Sequence, residues 1–289
     1  MLRSRHMRSQ LRITLVVLSL LGGTASAQEM ITIDYPGAVQ TVPAGISQSG
    51  DIVGNYHDTV FTGGAFLLRK GVYSQVQVPG GQSTTATGIN NAGAIVGAYV
   101  NAAGRQLGYV MRHGEVTDLD FPGATFTIPT AINNAGQVVG TYSDSSFRSH
   151  GFLWDDGSFE TIDPPGSTTT IATGIDPDGR IVGSFIDTLH AKGFLLDKGE
   201  YTIIEVPGAN STNIVGIAPG GRLAGWHSDG VTTTNFVWRN GSIQPVEIPI
   251  GTQPHIVGIG TGRWIIATYV DPDRLLGVEH PMRGVLLRY

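Results

Sequence analysis

The sequence predicts an all-β chain folded as a six-bladed β-propeller with four antiparallel strands per blade. Three observations carry that prediction. A unit of about 43 residues recurs six times in one register. Each unit holds four short strand signatures separated by turn signals. The two ends of the chain supply complementary fractions of one more unit.

The recurrence rests on three anchors. The glycine closing "IVG" or its equivalent falls at Gly54, Gly97, Gly140, Gly183 and Gly225, with Ala267 in the sixth copy. A "PG" turn places Gly37, Gly80, Gly123, Gly166, Gly208 and Gly251 in the same register. An apolar triplet after a glycine or small residue recurs at 65–67, 109–111, 152–154, 194–196, 236–238 and 285–287. The third unit shows the strands plainly. Strand A is "TIPTAIN" (127–133), B is "QVVGTYS" (137–143), C is "GFLW" (151–154) and D is "SFETID" (158–163). No segment after residue 27 sustains a 3.6-residue apolar period, so helices are not expected. The chain opens its repeats with "MITIDYPG" (30–37), a D strand without A, B or C, and ends on "GVLLRY" (284–289), a C strand without D. The first is expected to complete the blade of the last, closing the ring with one N-terminal and three C-terminal strands. An open solenoid also repeats, but its ends are capping units rather than complementary fragments.

Composition fits this reading. The 41 glycines, without a collagen period, point to many turns. There is no cysteine, so neither disulfides nor a lipid-modified cysteine contribute. Residues 1–27 have the three parts of a secretory signal: arginines 3, 5, 8 and 12, an apolar run at 13–21, and Ala25-Ser26-Ala27 as a cleavage site. Removing it takes four of the 18 basic residues and none of the 23 acidic ones, leaving a net charge of about −9. That balance argues against nucleic acid as a partner, and no later apolar run is long enough for membrane insertion. The mature chain, 28–289, is expected to be one exported, monomeric domain in the periplasm or the medium.

"GINNAGAIVGAY" (88–99), "AINNAGQVVGTYSD" (131–144) and "HGFLWDDG" (150–157) resemble the extracellular repeat proteins named for a His-Ala-Phe (HAF) motif. The resemblance covers about residues 30–289 and implies secretion and repetition rather than a reaction. His-Gly-Phe occurs once, at His150–Phe152; the other copies carry Gly64, Leu107, Lys192, Thr234 and Arg283 at that site.

In a propeller, AB and CD turns share one face, and BC and DA loops share the other. The AB and CD turns are short ("NAG", "DPDG", "DDG"), and "DPDG" (176–179) is read as a turn rather than a calcium fragment. The BC loops are longer, so ligands are expected on their face. Candidate ligand-binding residues gather where strand B ends and the loop begins: Tyr56, His57 and Asp58; Tyr99 and Asn101; Tyr142, Asp144 and His150; Asp187 and His190; Trp226 and His227; and His280. His255 is expected at a DA connection. Such residues are suited to stacking a sugar or holding a metal. The competing reading makes the aromatics inter-blade packing and the acids loop caps. The last BC loop is the longest, and Asp271 and Asp273 in it are candidate oxygen ligands for calcium; no other cofactor is expected.

No G-x-S-x-G elbow, HExxH or P-loop is present. The leading expectation is a binding module for a carbohydrate or an envelope protein. One alternative is a polysaccharide hydrolase or lyase using Asp and His on the BC face. Another is a scaffold without a small-molecule site.

Overall fold

The computed structural model describes residues 29–58, 63–272 and 282–289, so the predicted signal segment lies outside the described residues. Among the described residues there are 24 strands and no helix. Strand β1 (Met30–Ile33) comes first. β2 (Gln40–Ile46), β3 (Ile52–His57), β4 (Gly63–Arg69) and β5 (Val72–Val76) form one antiparallel sheet in chain order. β6 (Ser83–Ile89), β7 (Ile95–Val100), β8 (Gln106–Arg112) and β9 (Glu115–Leu119) form a second. β10 (Phe126–Ile132), β11 (Val138–Ser143), β12 (Ser149–Asp155) and β13 (Ser158–Ile162) form a third, within two residues of the expected bounds.

Two more sets follow: β14 (Thr169–Ile175), β15 (Ile181–Ile186), β16 (Ala191–Asp197) and β17 (Glu200–Ile204), then β18 (Ser211–Ala218), β19 (Arg222–Ser228), β20 (Thr233–Arg239) and β21 (Ser242–Pro245). Here the structure departs from the expectation of six four-stranded blades. These eight strands form one sheet, leaving four separate four-stranded sheets beside it. The join is a single parallel pair, Ala191 with Ser211, where an inner strand starts beside the third strand of the set before it. A one-residue bridge leaves no mark in the repeat pattern. The last sheet takes strands from both ends of the chain: β22 (Thr252–Ile259), β23 (Trp264–Val270), β24 (Met282–Arg288) and then β1, with Met30 opposite Leu287 and Ile33 opposite Gly284.

The whole is a β-propeller arrangement of four-stranded blades. Inner strands β2, β6, β10, β14, β18 and β22 each touch the next, and β22 returns to β2. Second strands such as β7 and β11 are buried almost throughout, because neighbouring sheets cover both their faces. Outer strands such as β5 and β13 are mostly exposed. The core therefore lies in the seams between blades, as where Val53 and Ala65 of one blade meet Tyr99 and Tyr109 of the next.

The repeated "IVG" glycine has a steric cause. A Cβ on Gly97 would run into the Thr85 carbonyl of the inner strand. That strand bulges at this level, as do all six inner strands. Three of the bulged residues are threonines whose hydroxyls donate to the next inner strand: Thr87 to Pro129 O (2.8 Å), Thr130 to Ala172 O (2.7 Å) and Thr173 to Ile214 O (2.8 Å). The axial channel they line encloses only about 100 Å³. Ile46, Ile89, Ile132, Ile175, Ile217 and Ile259 narrow it toward the AB turns.

Candidate functional site

The BC loops are built by their first acidic or amide side chain. Asp144 Oδ1 accepts from the backbone N–H of Ser146 (2.8 Å) and Arg148 (2.9 Å). Asp187 does the same for Leu189 (2.8 Å) and His190 (2.9 Å), and Asp229 for Val231 (2.8 Å) and Thr232 (2.7 Å). Asn101 holds Ala103 and Arg105, both at 3.0 Å. These are side-chain-capped turns, so the loop-cap reading describes them. The bonds favour the charged form. Backbone donation by Arg148 leads in lowering the Asp144 carboxyl, and by Thr232 that of Asp229. Asp187 falls to about 2, through the His190 and Leu189 amides and then Lys192.

His150 sits at the start of β12, inside the strand rather than in the loop. Its Nδ1 lies 2.7 Å from Asp163 Oδ2 and its Nε2 3.5 Å from Asp144 Oδ2. The ring stacks on Tyr142, with centroids 5.1 Å apart. Lys192 occupies the same register in β16 and reaches Asp187 (3.1 Å) and Glu205 (3.5 Å). Arg283 occupies it in β24, fully buried, and pairs with Asp34. Three blades thus set a cationic or imidazole side chain against an acid at the end of the outer strand. Sequence reasoning missed Asp163, Glu205 and Asp34. Their signal was the residue two or three places before each "PG" turn, in "IDPPG", "IEVPG" and "IDYPG".

The aromatics fill seams. Tyr56 stacks on Tyr35 at 3.8 Å and Tyr142 on Phe121 at 3.6 Å, each pair nearly parallel. Tyr99 is buried and its hydroxyl donates to Asp118 (2.8 Å). Burial pushes Tyr56 and Tyr99 up to about 12. Trp226 meets His255 edge to face at 5.9 Å. His255 lies within β22, paired with Thr268 of β23, not in a connection as expected, because the inner strand begins at Thr252. His57 ends β3 and is exposed, with Asp58 following it; His190 is exposed, and His227 is half-buried in β19 beside Phe236. Asp271 follows β23 and adds to the upward shift of Tyr269, which is dominated by burial. Asp273 and His280 lie outside the described residues. Among the described residues no three His, Asp or Glu side chains are grouped to hold a metal.

The structure thus gathers Tyr142, Asp144 and His150 into one cluster and pairs Asp187 with Lys192. Trp226 meets His255 of the next set of strands, and Tyr56 meets Tyr35 of the closing blade. It also shows what the sequence reading passed over. Phe147, Leu189 and Val231 stand 80%, 77% and 95% exposed on three successive BC loops. Each lies two or three residues after a capping aspartate. The alternation of apolar and polar residues that marks strands carries no signal for single apolar residues at loop tips.

No family model matches the chain, and no curated protein matches it in sequence. Solved structures do resemble it in fold. TolB from Acinetobacter baumannii aligns with a TM-score of 0.56 at 14% identity, covering 83% of this chain and 66% of that one. A protein described as a candidate gluconolactonase aligns with a TM-score of 0.54 at 14% identity, covering 91% and 93%. Likeness at this identity speaks for the propeller fold alone.

Proposed function

We propose that the chain is an exported six-bladed propeller acting as a binding module, and that its BC-loop face docks a protein of the cell envelope. The blade count follows from reading the eight-stranded sheet as two blades joined by the Ala191–Ser211 bridge. The observation carrying the function is the set of loop tips. Phe147, Leu189 and Val231 are held into solvent by turns that Asp144, Asp187 and Asp229 lock. Rigidly presented apolar side chains on one face suit a protein partner. A sugar-binding face stacks its ligand on exposed aromatic rings; of the three exposed tips only Phe147 is aromatic, and Tyr99, Tyr142 and Phe185 are buried. Catalysis by His150 is disfavoured because both ring nitrogens face carboxylates.

The test compares the protein with a Phe147→Ser/Leu189→Ser/Val231→Ser variant. Retention of a defined envelope protein by the wild type, lost in the variant at an unchanged unfolding midpoint, is the expected result. A glycan that raises the midpoint of both equally would replace this reading with a carbohydrate one. Adding EDTA and then calcium to the same scan tests Asp271 and Asp273 as metal ligands.

A further inference from the structure

On the opposite face, where the ring closes, the seam between β1 and β4 opens into a cavity of about 510 Å³. That volume lies within the roughly 300–1,000 Å³ of small-molecule sites. Its floor is aliphatic: Ile31 and Leu286 from the closing blade, Ile52 and Leu68 from the next. Its rim carries Arg69 and Lys70. Arg69 pairs with Asp51 at 2.8 Å, whereas Lys70 has no acidic partner among the described residues. The rim therefore keeps one uncompensated positive charge on a protein of net negative charge.

Register shows that this floor is peculiar to the closing seam. Ile31 pairs with Leu286. The equivalent outer-strand residues, paired with Leu67, Val110, Leu153, Leu195 and Val237, are Ser74, Thr117, Glu160, Thr202 and Gln244. All five are polar and exposed, and Ile31 is half-buried. An aliphatic side chain thus stands where the repeat otherwise places a hydrophilic one, beside a cavity with a cationic rim.

We infer that this seam cavity binds a small amphipathic anion, an alkyl chain ending in a carboxylate. The chain lies over Ile31, Ile52, Leu68 and Leu286, and the carboxylate meets Lys70. Burying methylene groups supplies the affinity and the charge selects the head group.

Calorimetric titration with decanoate, below its micelle concentration, tests this. The purified protein is expected to bind one equivalent. Decyltrimethylammonium, with the same chain and opposite charge, and acetate, without the chain, are expected not to bind. Ile31→Thr, which installs the residue that two other blades carry, should weaken decanoate about tenfold. Lys70→Glu should do the same by charge reversal, and Phe147→Ser should leave binding unchanged. Absence of decanoate binding, equal binding of the cationic amphiphile, or unchanged affinity in both cavity variants would each overturn the assignment. None of these outcomes touches the BC-face reading, which the loop-tip variant tests separately.

Discussion

The two faces of the ring use the same side-chain chemistry to opposite ends. On the AB face, Asn133 Oδ1 accepts from Ala135 N and Gln137 N, while its Nδ2 donates to Asp176 O of the next unit (3.1 Å). Asn90 likewise reaches Asn133 O (2.9 Å), and Asn91 bridges Gln48 and Asn134. The Asn90 and Asn133 turns each close themselves and grip their neighbours. On the BC face, Asn101 makes the same closure onto Ala103 and Arg105, and Asp144, Asp187 and Asp229 make theirs. There the capping groups are spent on their own loops. A rim whose turns hold each other must repeat its sequence. Loops whose caps hold only their own turn are freer to vary, and variable loops on a rigid frame are where binding evolves.

Among the described residues of the BC face the Arg283–Asp34 pair spans the greatest distance in sequence, and breaking it should have the largest effect. Arg283 is fully buried and pairs with Asp34, 249 positions away, fastening the first strand to the last. Asp34→Asn leaves a buried guanidinium against a neutral group and is expected to cost about 3 kcal/mol in denaturant unfolding. The double variant Asp34→Asn/Arg283→Met should recover most of that loss, since it removes the stranded charge. Equal losses in both variants would mean that packing, not the ion pair, secures the closure.

Comparing Asn133→Ala with Asn101→Ala sharpens the contrast between faces. Both delete the same local cap. Only Asn133 also leaves the neighbouring Asp176 carbonyl without its donor, and Asn133 is buried. The expected costs are about 2 kcal/mol for Asn133 and about 1 kcal/mol for Asn101, read from unfolding midpoints at constant m-value. Equal costs would mean that the rim bonds between units contribute nothing.

These contrasts mark what the sequence could reveal. Recurrence exposed the strands, their order and the complementary ends, because each blade packs against copies of itself and therefore repeats the residues that pack. "DPDG" was legible as a turn because Asp176 occupies the Asn90 and Asn133 register; the structure adds that its buried carboxylate meets Arg180 at 2.6 Å. The merging of eight strands into one sheet at Ala191 and Ser211 was not legible, since one backbone contact imposes no residue type. The candidate ring was legible as positions but not as contacts. Tyr56 and Tyr142 lie where expected, yet their stacking partners, Tyr35 and Phe121, come from the preceding blade, at a distance in sequence that a repeat alignment does not pair.

The smallest expected effect separates an acid that builds a loop from one poised to bind. Asp187 titrates near 2 in the folded protein because the His190 and Leu189 amides and Lys192 favour its charged form, against 3.8 for a free aspartate. A depressed folded pKa contributes stability that is complete above the unfolded value and is lost as pH falls through the folded one. The contribution of Asp187 should therefore disappear between about pH 4 and pH 2. Asp187→Asn should flatten that limb of the stability profile and leave the neutral region nearly level, because the group is solvated and its amide still caps the turn. The same comparison read by hydrogen exchange should localise the acid-induced loosening to residues 187–192. Protection there that holds to pH 2 in the wild type would detach the carboxylate from the loop, and Asp187 would then be better placed to meet a ligand than to fold its own turn.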